Sequence, residues 1–246
     1  MMCELAANGV SFEMEGERLV GIWNEIRFGL EPDTQLTFWE LVVAQAYRWA
    51  DFGRKTLVFD IGANVGFASL AIAALHPKAE IHGFEAFEKT YQRALTNLDA
   101  NPAIKARIHL HCQALSDHAA TETWKLGDNA GTSGQFATNG NAVLVEVRKA
   151  SEAMALIADA HPGWPCVVKM DCEGGEYAIL KDWEATGFCQ RVDLVVMEYH
   201  ELGGHSIGEI EAWCRQNGFA AVSKPQLQNG KRLYFGDMVS ARIGRT

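Results

Sequence analysis

The fold is decided by Val58-Phe59-Asp60-Ile61-Gly62-Ala63-Asn64-Val65-Gly66, an apolar run that passes through two glycines into a helical pattern. This pattern predicts a buried strand, a tight turn and a helix start. A second predicted strand ends at Gly83-Phe84-Glu85. Ligands of open parallel sheets lie at the carboxyl ends of strands, where a glycine turn exposes free backbone N–H groups. We therefore expect a ligand at this turn.

The acid at the tip of the second strand narrows the class of ligand. Glu85 lies 23 residues after Gly62, a spacing at which a carboxylate reaches the ribose hydroxyls of a nucleoside. The dinucleotide pattern Gly-x-Gly-x-x-Gly is not met, because Asn64 replaces the middle glycine and Ser69 stands three residues past Gly66. A P-loop would need Gly-Lys-Ser/Thr, which is absent. The remaining pattern, Asp-x-Gly-x-x-x-Gly, resembles motif I of the class I S-adenosylmethionine (SAM) methyltransferases.

The composition of the chain limits the classes of protein to which it can belong. The chain has 246 residues, 48% of them apolar, which is enough for a full core without disulfides. A net charge of −9 argues against nucleic acid or an anionic membrane as the main partner. The six cysteines form no Cys-x-x-Cys pair, and the first residues do not resemble a signal peptide. We therefore expect a cytoplasmic protein with reduced thiols.

Strand and helix patterns alternate along most of the chain. Residues 1–50 are predicted to form a small N-terminal cap made of a hairpin and a helix over 34–50, and residues 51–246 the main domain. Strands are predicted at 56–60, 79–84, 107–114, 166–170, 192–198, 219–223 and 232–235, with an added antiparallel pair at 119–126 and 142–148. This order predicts an α/β fold with a Rossmann-like, doubly wound, mostly parallel seven-stranded sheet.

Two later segments carry a sharper resemblance. They are Lys169-Met170-Asp171-Cys172-Glu173-Gly174-Gly175-Glu176 and the strand end Glu198-Tyr199-His200. Together with the first turn they resemble the FkbM family of SAM-dependent methyltransferases, which has Lys-Ile-Asp-x-Glu-Gly-x-Glu and Glu-x-His segments. The resemblance covers roughly 56–200. Met170 departs from the usual Ile, and Ala86 departs from the usual Phe-Glu-Pro.

The resemblance implies SAM as cofactor and a set of residues that bind it. Asp60 is expected to steer the turn and approach the amino group of SAM, and its alternative role is to cap the turn. Glu85 is expected to bind the ribose. Ser116, with Asp117, is expected to contact adenine or simply to build a turn. The full expected cofactor set is Asp60, Gly62, Asn64, Gly66, Glu85, Ala86, Ser116 and Asp171.

The catalytic residues that the resemblance implies are Asp171, Glu198 and His200. Asp171 or His200 is expected to be the base that deprotonates the acceptor, and histidine is better matched near neutral pH. An alternative is a Mg²⁺ ion on these same three residues. Glu173 and Glu176 are interpreted as acids at a helix start. Lys169, inside an apolar strand, is expected to pair with an acid.

These observations predict a SAM-dependent O-methyltransferase that acts on a small biosynthetic molecule, such as a sugar, polyketide or peptide with a hydroxyl or carboxyl group. Neither a nucleic-acid nor a membrane partner is expected, and an edge strand or the N-terminal helix offers a surface for a homodimer. The alternatives are N- or C-methyl transfer on the same fold, a nicotinamide-dependent oxidoreductase, and a nucleoside-binding protein without catalysis. The remaining histidines, His82 and His109 among them, are interpreted as structural or surface groups.

Overall fold

The central feature is one seven-stranded sheet. The computed structural model describes residues 1–49, 51–127 and 133–244. From edge to edge the strands are β12 (Phe219–Gln228), β13 (Lys231–Arg242), β11 (Leu194–His200), β10 (Cys166–Met170), β4 (Thr56–Ile61), β5 (Ala79–Glu85) and β6 (Ile108–Cys112). Strands β11 to β6 run parallel, and β13 is antiparallel to both neighbours. The predicted fold class is confirmed.

Helices cover both faces of this sheet. They are α1 (Met2–Ala7), α2 (Gln35–Val42), α3 (Phe67–Leu75), α4 (Glu88–Asp99), α5 (Pro102–Lys105), α6 (Ala150–Asp159), α7 (Glu176–Thr186) and α8 (Ile207–Gln216). Successive side chains of β4 point to opposite faces of the sheet, so the hydrophobic core is divided into two parts. Val58 packs with α3 on one face, and Phe59 packs with α6, α7 and α8 on the other. Buried strands with apolar residues on both faces are typical of a parallel sheet.

The N-terminal segment forms a small layer on one face of the sheet. Its three antiparallel strands are β1 (Ser11–Glu15), β2 (Arg18–Trp23) and β3 (Ile26–Leu30), one strand more than the predicted hairpin. Phe28 and Phe38 pack against each other at a tilt and meet Phe67 of α3 edge to face, so this layer and the main sheet share one hydrophobic core. The predicted division at residue 50 falls on a residue outside the described ranges and stays a prediction.

The predicted helix over 34–50 is half as long as expected. Helix α2 ends at Val42, and both Gln45 and Tyr47 adopt positive φ angles of 57° and 58°. Left-handed residues cannot continue a right-handed helix. The apolar spacing that suggested a longer helix instead serves a turn, which brings Tyr47 back toward the sheet.

A second small sheet flanks the β6 edge. The predicted antiparallel pair is confirmed as β8 (Ala120–Leu126) and β9 (Asn141–Lys149), and β7 (Ala114–Ser116) joins it in parallel. The predicted strand at 107–114 is therefore divided between two sheets at Gln113. Within the loop between β8 and β9, residues 128–132 lie outside the described residues. Among the described residues, no helix is long and apolar enough to cross a membrane.

Candidate active site

The glycine turn after β4 is shaped by close packing. Gly62 has φ of +75°, and a Cβ atom there would lie 1.7 Å from the carbonyl oxygen of Asp171. Asn64 also adopts a positive φ, which asparagine tolerates better than most residues. Gly66 faces Ala94 of α4 at the start of α3, so it serves helix packing and does not line the cavity. Gly62 and Asn64 are the residues of the turn that line the cavity. The expected free N–H groups are engaged within the protein, because those of Gly62 and Ala63 donate to the Phe84 carbonyl oxygen and that of Asn64 donates to Glu85.

Glu85 is held rigidly at the tip of β5. Its two carboxylate oxygens accept hydrogen bonds from the backbone N–H groups of Asn64 (2.9 Å) and Phe87 (3.0 Å). Burial raises the pKa of Glu85 to about 7, although both backbone hydrogen bonds favour the ionised form. Each oxygen keeps a free lone pair, so the side chain can accept further hydrogen bonds from a ligand in the cavity.

A cavity of about 170 Å³ opens at the carboxyl ends of β4, β5 and β10. It collects most of the expected cofactor-binding residues, namely Gly62, Asn64, Glu85, Ala86, Ser116 and Asp171. Phe87, Leu115 and Trp124 add apolar surface, and Gln113 adds an amide. A cavity with apolar walls and a few fixed polar groups suits an organic ligand with a flat ring and hydroxyl groups.

Asp60 lies beneath this cavity and does not line it. Its side chain is fully buried, with one oxygen 3.0 Å from the Lys169 ammonium and the other accepting a 2.6 Å hydrogen bond from Ser69. The expectation that Lys169 pairs with an acid is confirmed. Direct contact between Asp60 and a cofactor is not supported, because both oxygens are already engaged. The Lys169 ammonium also donates to the Gly62 carbonyl oxygen (2.7 Å), so this ion pair holds the turn from below.

Ser116 and Asp117 separate in the structure. Ser116 is buried and lines the cavity. Asp117 points away, and its carboxylate lies 2.8 Å from His118 and 2.9 Å from Lys181. The hydrogen bond to His118, followed by that to Lys181, lowers the pKa of Asp117. Only Ser116 is placed to contact a ligand.

Asp171 marks the boundary between the cavity and a second, acidic region. It directly follows β10, lines the cavity and accepts a 2.8 Å hydrogen bond from the Tyr47 hydroxyl. Tyr47 comes from the N-terminal segment, so that segment reaches the site as the predicted cap should. The phenol also lies over the Lys169 ammonium, 5.1 Å from the ring centre.

His200 is enclosed by carboxylates. Its Nδ1 lies 3.0 Å from an oxygen of the fully buried Glu176, and its Nε2 lies 3.4 Å from an oxygen of Glu173. Burial lowers its pKa, but the hydrogen bond to Glu176 and the charges of Glu176, Asp171 and Glu173 outweigh this and raise it to about 9. A pKa of about 9 favours the imidazolium at neutral pH, and both ring nitrogens face carboxylate oxygens. That His200 acts as the base stays a prediction, which this geometry does not favour.

Glu173 takes a different position from the one its sequence suggested. Helix α7 begins only at Glu176, and Glu173 lies in the preceding turn with a φ of +51°. Its carboxylate lines the cavity, and burial above all raises its pKa to about 7. A non-glycine residue in the left-handed region is strained, and such residues cluster at functional sites.

Further acidic side chains lie near Asp171 and Glu173. Burial and the charge of Asp171 raise the pKa of Glu198 to about 8, and its carboxylate lies 3.8 Å from the His200 Nε2. Burial also raises the pKa of Glu40 and of Asp237, with a contribution from Asp171 in both cases. Glu198 and His200 do not line the cavity themselves. They form a layer behind Asp171 and Glu173.

We call Asp171, Glu173, Glu176, Glu198 and His200 the acidic cluster. Ligand atoms of Asp171, Glu173 and His200 lie within 4.8 Å of one another, which is close enough to hold a metal ion. This trio contains Glu173 in place of the expected Glu198.

Sequence reasoning also missed Tyr47 and Glu40. The motif Asp-x-Glu-Gly-x-Glu did contain the signal for Glu173 and Glu176, whereas nothing in the pattern marked the residues of the N-terminal segment.

The sheet order, the glycine turn and the cavity at the strand tips define a class I methyltransferase fold. The model of the Methyltransferase FkbM domain matches residues 60–220, which is more than half of the chain. The protein belongs to the FkbM methyltransferase domain family. No curated protein matches the sequence.

Solved structures agree on the fold. The methyltransferase FkbM from Methylobacillus flagellatus KT aligns with a TM-score of 0.55 at 14% identity, over 82% of this chain and 47% of that chain. The SAM dependent methyltransferase from Agrobacterium tumefaciens aligns with a TM-score of 0.50 at 13% identity, over 94% of this chain and 72% of that one. This chain thus spans about half the length of the first of these two structures.

Proposed function

We propose that the protein binds SAM in the cavity at the strand tips and transfers its methyl group to a hydroxyl of a small molecule. The observation that carries this proposal is the fixed carboxylate of Glu85. Two backbone N–H groups set its orientation, and its free lone pairs match the two donors of a ribose diol. Ser116 and the flat apolar walls beside it suit the adenine base.

SAM, when bound, supplies an electrophilic methyl group for an in-line displacement. The chain must then align the acceptor oxygen and remove its proton. Asp171 stands where the cavity meets the acidic cluster, so it would orient the acceptor hydroxyl. Tyr47 fixes the Asp171 carboxylate by its 2.8 Å hydrogen bond.

Glu173 is the best candidate for the base. It lines the cavity, and its pKa of about 7, which burial raises, is close to the value that makes a base most effective at neutral pH. His200, as an imidazolium 3.4 Å away, would stabilise the ionised carboxylate before it takes the proton. This assignment gives His200 a charge-balancing role.

The charge of the site favours one kind of acceptor. Glu40, Asp171, Glu198 and Asp237 offer no positive charge to a phosphate or another anion. Because the pKa values of Glu40, Glu198 and Asp237 are raised, these side chains can donate as well as accept hydrogen bonds. A polyhydroxylated acceptor, such as a sugar or a polyketide, fits this surface better than a carboxylate. A nucleic-acid acceptor fits poorly for the same reason.

The test is methyl transfer from radiolabelled SAM to a panel of polyhydroxylated, amino and carboxylate compounds. We expect transfer to a hydroxyl, identified by NMR of the product. Glu173→Gln should lower turnover about 10²- to 10⁴-fold while SAM affinity stays near that of the wild type. Glu173→Asp is the matched control and should retain part of the activity. Methylation at nitrogen or carbon, or full activity of Glu173→Gln, would overturn the O-methylation proposal or the base assignment respectively.

A second candidate is metal-assisted transfer, because Asp171, Glu173 and His200 lie within 4.8 Å of one another. Mg²⁺ prefers oxygen ligands, and it would compete with the His200 proton for the same carboxylates. We propose that the imidazolium supplies the positive charge here. Added Mg²⁺ should then leave initial rates unchanged, whereas a strict Mg²⁺ requirement would favour the metal.

A further inference from the structure

A second cluster of titratable side chains lies at the other end of the sheet. It consists of Glu80 and His82 on β5, His109 on β6, and His161 in the loop after α6. We call these four residues the histidine cluster. Glu80 precedes Glu85 by five residues, which places it about 16 Å along the strand from the cavity end. The cluster is therefore separate from the proposed active site.

All three imidazoles converge on one carboxylate oxygen. The Nε2 atoms of His161, His109 and His82 lie 3.2, 3.3 and 3.7 Å from Oε1 of Glu80. In a tetrahedral zinc site with bonds of 2.0–2.1 Å, ligand atoms are separated by about 3.3 Å. The ligand atoms of Glu80, His82 and His109 lie within 4.8 Å of one another, close enough to hold a metal ion. His161 joins them through its 3.2 Å contact with Glu80.

Outer hydrogen bonds prepare two of the imidazoles as ligands. His161 Nδ1 donates to the carbonyl oxygen of Ile157 (2.9 Å), which leaves its Nε2 lone pair facing Glu80. His82 Nδ1 lies 3.1 Å from His111 Nε2, and donation in that direction leaves the His82 Nε2 lone pair free as well. Metal-bound histidines in proteins are usually fixed by such partners.

One atom in the cluster lacks a partner. His82 is 9% exposed, and its Nε2 is buried without a hydrogen bond among the described residues while facing the cluster. Native proteins rarely leave a buried polar nitrogen unpaired. A bound cation would satisfy it.

We propose that Glu80, His82, His109 and His161 bind one divalent transition-metal ion, for which zinc is the best match. Glu80, His82 and His109 would bind the ion first, and a small side-chain movement would bring His161 onto it as the fourth ligand. Three imidazole nitrogens and one carboxylate oxygen would then form a tetrahedral set of the kind zinc prefers. The ion would tie the loop after α6 to β5 and β6. Because four protein ligands leave no open position, its role is structural and separate from methyl transfer.

The test uses the untagged full chain, stripped with a chelator and dialysed. Calorimetric titration with zinc chloride should show one tight equivalent and a rise in melting temperature. Co²⁺ in its place should give the visible absorption of a four-coordinate ion. His109→Gln, at a position 44% exposed, and His161→Gln, at a position 14% exposed, should weaken zinc binding at least about tenfold.

Two controls separate this site from others. His118→Gln changes an exposed histidine that also contacts two carboxylates, and it should leave zinc affinity unchanged. Glu173→Gln reports on the other candidate metal group among the described residues and should also have no effect. No zinc binding to the folded wild type, or binding that His109→Gln and His161→Gln leave unaltered, would overturn the proposal.

Discussion

The acidic cluster and the histidine cluster use the same two kinds of side chain in opposite proportions. At the cavity end, four carboxylates surround one imidazole, and His200 has its pKa raised to about 9. At the far end of β5, three imidazoles surround one carboxylate, and His82 has its pKa lowered to about 3. Both histidines are buried.

The difference teaches that burial alone does not decide the charge of a histidine. Burial lowers the pKa of both side chains. At His200 the surrounding carboxylates outweigh burial and favour the imidazolium, which serves to balance charge. At His82 the surrounding imidazoles add to the effect of burial and favour the neutral ring, whose lone pair serves to bind a cation. The predictions below test each half of this contrast.

The largest effect should come from removing the other buried cation at the cavity end. Lys169→Met leaves Asp60 without its ion-pair partner, and an uncompensated buried charge costs about 3–5 kcal/mol of unfolding free energy. Urea denaturation measures this loss. The double variant with Asp60→Asn should recover most of it, and equal stability of the single variant and the wild type would show that the pair does not hold the turn.

The next effect concerns His200 and depends on pH. Its folded pKa of about 9 lies above the unfolded value of 6.5, so its contribution of about 3 kcal/mol is fully present below pH 6.5 and is lost as the pH rises through 9. The difference in unfolding free energy between wild type and His200→Gln should follow this course. Histidine NMR signals provide a direct check.

In the metal-free protein, His82 should behave in the opposite way and serves as the internal contrast. Its folded pKa lies below 6.5, mainly because of burial, so its contribution is present above pH 6.5 and is lost as the pH falls toward 3. If both histidines titrate near 6.5 in the folded protein, the contrast between the clusters does not exist.

The smallest effect concerns the contact between the N-terminal segment and Asp171. Tyr47→Phe removes one hydrogen bond and should lower the unfolding free energy by about 1 kcal/mol. Cofactor affinity should stay within a factor of two or so, because Tyr47 does not line the cavity. A large loss of affinity would instead place Tyr47 in the binding site.

Much of the fold could be predicted from the sequence, because its signals are local. The apolar run of β4, the glycine turn and the acid that ends β5 depend on residues close together in the chain. The same holds for Glu85 and Ser116, because each lies at the end of a strand and therefore lines the cavity.

The parts that sequence reasoning missed depend on distant contacts. Tyr47 and Asp171 are 124 positions apart in the chain. The end of α2 is set by the positive φ angles of the following turn, which no capping residue in the sequence predicts. The charge of His200 depends on Glu176 and Glu173, whose side chains are oriented only by the turn before α7. His161 meets Glu80 across 81 positions, so the isolated histidines gave no sign of a shared site.

The most direct test of the central claim is calorimetric titration of the protein with S-adenosylhomocysteine, the demethylated product of SAM. We expect micromolar binding to the wild type and to His109→Gln. Binding to Glu85→Ala should weaken about 10- to 100-fold, because two hydrogen bonds to a charged acceptor are lost. Absence of binding to the folded wild type would rule out the cofactor site, and equal affinity of Glu85→Ala would rule out Glu85 as its ribose ligand.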